Sequence, residues 1–397
     1  MPGCGAGTSM WNADYERTSI MNKRKISERL ISFFKKETVL CVAAILAAVS
    51  VFFVPPDQKY LEYPDFRVLA LLFCLMLVIC GLQDIGLFRY LGFYLLGGIR
   101  TSRQLSFLLV ALCFICSMLI TNDVALITFV PFAVMVLHLA GQQSLMIPVV
   151  ALQTVAANLG SMLTPIGNPQ NLYLYTAFDL SMGSFLGYML PLALLSLILL
   201  GAAVFLLGSA PLSVGAMEPV RPPEKSRFMA YLALFFVCLA CVLRLLSWQA
   251  MLAILIAAVF FIDKKLFRSV DYFLLLTFLC FFLFIGNTER IPAVSSVLQQ
   301  WIQGSELPMG VLLSQFISNV PAAILLSGFT ENARALLYGV NIGGLGTLIA
   351  SLASVISYRC YGNSASARKS AYLKMFTWYN VIFLVILYAA AMLLLEL

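Results

Sequence analysis

The sequence has few charged residues and almost no histidine. Of its 397 residues only 11% are charged and one is histidine, whereas 61% are hydrophobic. A water-soluble domain of this size carries about twice that share of charge, so a soluble globular protein is excluded. With His138 as the single histidine, the usual ligand sets for a transition metal are also incomplete. The sequence therefore indicates a protein whose solvent is largely lipid.

The strict alternation of polar and apolar residues that marks a membrane β-barrel is also absent. Instead, apolar residues form blocks of roughly 14 to 25 residues, long enough to cross about 30 Å of hydrocarbon as helices. Lipid offers no hydrogen bonds, so each block must pair its own backbone groups. The prediction is an all-α polytopic membrane protein.

The cysteines and basic residues do not change this interpretation. Cys113/Cys116 and Cys238/Cys241 have C-x-x-C spacing, but both pairs lie inside apolar runs and are interpreted as packing residues. The net charge of +7 comes from basic residues in short loops between apolar blocks. They are typical of topology signals, so nucleic acid is not predicted as a partner.

Composition divides the chain into four regions. These are a cytoplasmic N-terminal tail (1–37), a first transmembrane repeat (38–208), a polar, proline-rich cytoplasmic linker (209–227) and a second transmembrane repeat (228–397). With the basic tail inside, every basic loop falls on the cytoplasmic side if the chain makes nine spans and two re-entrant hairpins. We therefore expect a multi-pass protein of the cytoplasmic membrane, with its C-terminus outside.

Four apolar blocks are interrupted by residues that a lipid-facing helix cannot carry. Thr121-Asn122-Asp123 and Ser318-Asn319-Val320-Pro321 each split a block into short arms, which predicts two re-entrant hairpins. The runs 158–171 and 341–347 are rich in glycine and asparagine and predict two broken transmembrane helices.

The interruptions recur in the same order in both halves. Ile120-Thr-Asn-Asp-Val-Ala125 matches Ile317-Ser-Asn-Val-Pro-Ala322, and Asn158-Leu-Gly-Ser-x-x-Thr164 matches Asn341-Ile-Gly-Gly-x-x-Thr347. Asp65 and Gly81 likewise match Asp271 and Gly286. The topology places Asp65 outside and Asp271 inside, so we expect inverted repeats. Such repeats give alternating access two mirrored conformations.

Helix breaks inside a membrane expose groups that bind ligands. Half-helix N-termini suit an anion, while carbonyls and Asn, Ser and Thr oxygens suit Na⁺. The matched positions favour such roles over the alternative, in which Asn and Thr bind neighbouring helices and glycines allow close packing. Asp123, the one carboxylate expected near the midplane, could bind Na⁺ or carry a proton; alternatively it caps the second hairpin arm.

The hairpin tips and the run Asn158-Leu-Gly-Ser-Met-Leu-Thr-Pro-Ile-Gly-Asn-Pro-Gln-Asn171 resemble the ion transporter superfamily. Its members include divalent-anion/sodium symporters, citrate transporters, arsenite permeases and some Na⁺/H⁺ antiporters. The resemblance covers about residues 38–395 and also implies a homodimer. The symporters carry Ser-Asn-Thr at each tip. Here Asp123 replaces Thr, and the second tip continues Asn-Val-Pro-Ala, which is nearer to the arsenite-permease and antiporter branch.

Together, the breaks and the resemblance define two sets of candidate residues. The substrate-binding candidates are Thr121, Asn122, Thr164, Pro165, Ser318, Asn319 and Thr347. The ion-binding candidates are Asn122, Asp123, Asn158, Gly160, Gly167, Asn168, Asn319, Asn341, Gly343 and Gly346.

We expect a secondary active transporter that moves a small anion, such as a citrate-like di- or tricarboxylate, with Na⁺ or H⁺ as coupling ion and no other cofactor. One alternative is a Na⁺/H⁺ antiporter in which Asp123 binds the cation and no organic substrate exists. Another is an arsenite or inorganic oxyanion permease. An enzyme is not predicted, because the sequence offers no metal cluster and no nucleophile with a paired base.

Overall fold

The computed structural model describes residues 37–212, 221–364 and 367–396. Over these residues the chain is built from α-helices joined by short turns, with no strand beyond an isolated bridge between Thr101 and Pro211. The predicted all-α fold is confirmed. Most of the predicted N-terminal tail and the central part of the predicted linker lie outside the described residues.

In the first half, the described residues form eight α-helices. They are α1 (Thr38–Phe53), α2 (Phe66–Asp84), α3 (Leu87–Leu95), α4 (Ser102–Ser117), α5 (Asn122–Leu139), α6 (Met146–Ser161), α7 (Pro169–Ala177) and α8 (Met182–Phe205). Short turns lie at the predicted interruptions between α4 and α5 and between α6 and α7. Both helix breaks of the first half are therefore confirmed.

The part of the second half that the structure describes forms nine α-helices. They are α9 (Lys225–Val242), α10 (Trp248–Asp263), α11 (Tyr272–Glu289), α12 (Pro292–Ile302), α13 (Glu306–Ile317), α14 (Asn319–Ser327), α15 (Ala333–Ile342), α16 (Leu352–Gly362) and α17 (Lys369–Glu396). Helix α9 begins inside the predicted linker. Between α13 and α14 the break is a single residue, Ser318, whose φ of 73° is a strained conformation for a residue with a side chain.

Within the described part of the chain, seven helical segments are long and apolar enough to cross a membrane. They support a multi-pass membrane protein. One of them, α5, has 18 residues, although the sequence predicted an arm of about 16, slightly short for a span. The nine-span topology with re-entrant hairpins stays a prediction, since length alone does not say which helices cross.

Corresponding helices of the two halves make corresponding packing contacts. Helix α4 packs against α6 as α13 packs against α15, and each hairpin packs against the broken helix of the other half, α5 on α16 and α14 on α7. The matched residues Asp65 and Asp271 cap corresponding helices, accepting hydrogen bonds from Val68 N and Leu274 N at 3.0 Å. Their inverted orientation in the membrane stays a prediction.

Candidate functional site

Both hairpin tips are tied to the loop of a broken helix by the same backbone hydrogen bond. Asn122 N donates to Gly167 O at 3.2 Å, and Asn319 N donates to Ala350 O at 3.0 Å. Gly167 and Ala350 hold corresponding positions in the two halves. Each bond satisfies an N–H group at the start of a helix, where no partner exists within the helix itself.

A second matched bond uses the predicted threonines. Thr164 Oγ1 donates to Met118 O, and Thr347 Oγ1 donates to Gln315 O at 3.1 Å. Both carbonyls lie four residues before the tip asparagine of their hairpin. The threonine protons are therefore used within the protein, and only the oxygen lone pairs remain for a cation. Pro165 is buried in the loop beside Thr164.

Asn158 is a hydrogen-bonding centre between the two halves. Its Oδ1 accepts from Asn122 Nδ2 at 3.0 Å and from Ser351 Oγ at 2.9 Å. Its Nδ2 donates to Gly344 O at 3.4 Å and to Ser354 Oγ at 3.5 Å. Because both lone pairs of Oδ1 have donors, Asn158 would have to give up a bond to bind a cation, and its predicted role as an ion ligand stays a prediction.

Asn341 makes the corresponding bonds from the second half. Its Oδ1 accepts from Asn168 Nδ2 at 3.3 Å, and its Nδ2 donates to Asn171 Oδ1 at 2.7 Å. Asn168 and Asn171 stand where Ser351 and Ser354 stand in the other half. The two broken helices are thus joined by a reciprocal pair of polar contacts, one from each half.

The second hairpin tip and the first broken helix both approach Gly344. A Cβ on this residue would lie 2.9 Å from Asn319 Nδ2, while its carbonyl accepts from Asn158. All the asparagines at the tips and breaks are at most 5% exposed. We call them the asparagine cluster: Asn122, Asn158, Asn168, Asn171, Asn319 and Asn341. The cluster brings together the predicted asparagines from four separate segments.

Asp123 lies next to this cluster, half-buried, in the first turn of α5. Its backbone N–H donates to Asn122 Oδ1 at 3.0 Å. Among the described residues its carboxylate has no hydrogen-bond donor and no ion-pair partner, so it does not cap the second arm as the sequence alternative supposed. The positive end of the helix dipole stabilises the ionised carboxylate, and because none of the described residues donates to its oxygens, they are available to a cation.

Several predicted glycines are explained by close packing. A Cβ on Gly160, Gly167 or Gly343 would lie 2.7 Å or less from a neighbouring atom. At Gly160 the obstruction is the backbone oxygen of Phe114. Gly346 has a φ of 106°, which favours glycine whatever the space. Their role in closing ion sites stays a prediction.

A cavity of about 430 Å³ opens beside the second tip. Ser318 and Pro321 of the tip line it, together with mostly apolar side chains of α1, α11 and α16. The charged residues in its lining are Glu37, Asp271 and Arg359. A predicted substrate-binding residue, Ser318, and charged side chains of both signs therefore line the same cavity.

At the corresponding wall of the first half, residues 169–175 of α7 are buried. Helix α2 packs against α7 there, and the Tyr173 hydroxyl hydrogen-bonds to Ser327 Oγ at 2.7 Å. The Tyr173 ring packs against Phe278 and Phe282, with ring centroids 6.2 and 5.7 Å away. Ile356, which stands at the corresponding position of the second half, lines the open cavity instead.

Sequence reasoning missed four of these residues as site members: Asn171, Ser351, Ser354 and Tyr173. Ser351 and Ser354 could have been found, because the internal repeat places them opposite Asn168 and Asn171. No sequence signal distinguishes Tyr173, whose role depends on residues more than a hundred positions away.

Comparison with known proteins agrees with this architecture. Residues 26–334 match the family model described as citrate transporter, so the chain belongs to the citrate transporter family. Its predicted relationship to the ion transporter superfamily is confirmed.

Three relatives indicate the range of the family. An uncharacterized transporter of Methanocaldococcus jannaschii is 31% identical, over 74% of this chain and 81% of its own. Inner membrane protein YbiR of Escherichia coli K12 is 33% identical, over 78% of this chain and 83% of its own. The silicon efflux transporter LSI3 of Oryza sativa subsp. japonica is 36% identical, over 34% of this chain and 27% of its own. The protein is therefore a membrane transporter.

Proposed function

We propose that the protein is a secondary active transporter that binds a small anion at the two hairpin tips and moves it by alternating access, coupled to Na⁺ or H⁺. The observation that carries the proposal is the difference between two matched routes. A cavity reaches Ser318 of the second tip and is lined by Ile356, whereas Tyr173, the corresponding residue of the first half, is packed against α11 and α14. One site reached from one side at a time is what alternating access requires.

The groups around the tips favour an oxygen-rich anion. Four helices, α5, α7, α14 and α16, begin at the breaks, and their N-termini supply N–H donors and positive partial charge. Amide and hydroxyl groups of Asn122, Ser318 and Asn319 add directed hydrogen bonds. The family description favours a citrate-like di- or tricarboxylate as the first substrate class, and the silicon efflux relative makes an inorganic oxyacid the second.

Asp123 is the proposed site of coupling. An acidic group inside a membrane protein is costly unless a cation or a proton compensates its charge. A cation bound there would reduce the repulsion between Asp123 and an anionic solute, so the two would bind better together than alone. Binding energy shared in this way couples the solute gradient to the ion gradient.

Thermal stability of the purified protein tests the proposal, because a bound ligand raises stability by mass action. The panel is citrate, succinate, arsenite, sulfate and phosphate, each with and without Na⁺ at two pH values. We expect stabilisation by a carboxylate that needs Na⁺ or low pH and is lost in Asn122→Ala and Asn319→Ala. Asn380→Ala is the matched control, since Asn380 is equally buried but bonds only to Phe376 O of its own helix.

The unpartnered carboxylate of Asp123 also favours a second candidate, the Na⁺/H⁺ antiporter. In that case Na⁺ or pH alone would shift stability, every anion would be without effect, and Asp123→Asn would abolish Na⁺-driven proton flux in proteoliposomes. Stabilisation by a carboxylate in the wild type would exclude this candidate.

A further inference from the structure

A second cavity lies between the end of α3, helix α4 and helix α8. Its volume is about 610 Å³. Most of its wall is apolar, with one basic side chain, Arg103, at the first turn of α4. We call it the α4–α8 groove. The apolar members that the argument uses are Phe107, Gly201, Val204 and Phe205.

Arg103 is the unusual residue of this groove. Its guanidinium lies over the Phe205 ring, 4.4 Å from the centroid. Across the described part of the chain it forms no ion pair, and its Nε has no hydrogen-bond acceptor. By contrast, Arg244 and Arg290 pair with carboxylates at 2.6 Å. An arginine without an acceptor beside an apolar wall lacks the oxyanion that its planar donors fit.

The groove is kept open by two glycines. A Cβ on Gly98 or on Gly201 would meet no atom within 4 Å. Neither glycine is therefore required by packing against the protein, unlike Gly160 or Gly343. The cavity volume of about 610 Å³ leaves room for a hydrocarbon chain.

We propose that the α4–α8 groove binds an anionic phospholipid, with the phosphodiester on Arg103 and an acyl chain against Phe107 and Val204. The apolar wall favours a lipid over free phosphate, because phosphate would leave that surface without a partner. The predicted topology places Arg103 on the cytoplasmic side, where anionic lipids are concentrated and basic pockets between helices bind their head groups.

Native mass spectrometry of the detergent-solubilised protein tests the site. The protein is delipidated and titrated with phosphatidylglycerol, with phosphatidylcholine and with inorganic phosphate. Both lipids offer Arg103 a phosphodiester, but the choline cation opposes the positive charge of Arg103, so we expect one phosphatidylglycerol to bind about tenfold more tightly than phosphatidylcholine. Arg103→Gln should remove that preference, while Gly201→Phe, which adds a ring where a Cβ meets no atom within 4 Å, should remove the bound lipid for both headgroups.

Matched controls separate the groove from general effects. Arg100→Gln removes an exposed arginine that lies three residues before Arg103 and does not line the groove. Gly187→Phe makes the same change in α8 at another open glycine outside it. Both should bind lipid as the wild type does. Equal lipid binding by the wild type, Arg103→Gln and Gly201→Phe would overturn the proposal, as would binding of inorganic phosphate alone at Arg103 with no lipid preference.

Discussion

The two hairpin and broken-helix units make the same bonds but stand in different surroundings. Asn122 and Asn319, Thr164 and Thr347 each have matched partners in the two halves. Yet the first unit is covered by Tyr173, while the second borders an open cavity. The shared bonds fix the backbone geometry of both tips. In the proposed mechanism, the side chains that differ between the halves determine from which side the site is reached.

The two halves also contribute different side chains to the hydrogen bonds between them. Asn158 contacts Ser351 and Ser354 of the second half, whereas Asn341 contacts two asparagines of the first half. Asn158 additionally bonds to the tip residue Asn122. This asymmetry predicts that corresponding substitutions will have unequal effects, which four experiments can measure.

The largest difference should come from the packed glycines. Gly160→Ala would push a methyl group against the backbone oxygen of Phe114, 2.1 Å away, which the helix cannot easily move. We expect a loss of about 3 kcal/mol in stability. At Gly343 the same change meets the backbone oxygen of Gly339 and Ser314 Oγ, both at 2.7 Å, a less severe approach, so we expect about 1 kcal/mol.

Thermal unfolding in detergent measures both losses. Gly187→Ala, where the added methyl meets nothing within 4 Å, is the control that should leave the melting temperature unchanged. Equal losses for Gly160→Ala and Gly343→Ala would contradict the expectation that the 2.1 Å contact costs more than the 2.7 Å contact.

The next effect concerns the contacts between halves. Asn158→Ala removes four hydrogen bonds, each worth about 0.6 kcal/mol between membrane helices, so we expect a loss of about 2 kcal/mol. Asn341→Ala should cost somewhat less stability, because Asn341 does not hydrogen-bond to Asn319, the tip asparagine of its own half, among the described contacts. A double-mutant cycle of Asn158→Ala with Ser351→Ala isolates one bond, and a coupling energy of zero would show that this bond contributes nothing to stability.

Access to the two routes can be compared with single cysteines in a cysteine-free background. Val355 lines the open cavity, and Leu172, at the corresponding position, is 1% exposed. We expect Val355→Cys to react with an impermeant maleimide at least about tenfold faster than Leu172→Cys. The reason is that Leu172 would be exposed only in a minor conformation populated at a few per cent. Adding Tyr173→Phe should speed labelling of Leu172→Cys. Unchanged labelling would show that the Tyr173 hydroxyl does not hold this side closed.

The smallest effect should come from an ion pair at the closed side. Arg290 lies 2.6 Å from Asp57 and binds it through two hydrogen bonds, which lower the pKa of this carboxyl from its ordinary value of 3.8. The α10–α11 connection at the open side has no ion pair among the described residues. A lowered pKa means that the stabilisation is present above about pH 4 and is lost as the pH falls below it.

Asp57→Asn should therefore lower the melting temperature slightly at neutral pH and less at pH 3; the effect is small because both partners are exposed and solvent screens them. Glu62→Gln, a nearby exposed carboxylate without an ion pair in the described part of the chain, is the control. A difference between wild type and Asp57→Asn that grows toward low pH would contradict the sign of this effect.

The sequence alone determined the solvent, the helices and the positions of the breaks. Hydrophobic blocks require a helical membrane fold whatever the neighbours are, because lipid cannot pair backbone groups. Glycine, proline and asparagine act locally, so the breaks at Asn122, Asn168 and Ser318 lie where the sequence predicts them. Comparing the halves also gave the register that pairs Thr164 with Thr347.

Tertiary structure alone decided which partner each polar group has. Tyr173 reaches Ser327, Asn158 reaches Ser351, and Arg103 lies over Phe205 without an acceptor. These relations join positions far apart in the chain, and composition and periodicity do not encode them. They depend on how side chains of different size fill the space between packed helices, which is also why two halves with matched bonds have one open route and one closed route.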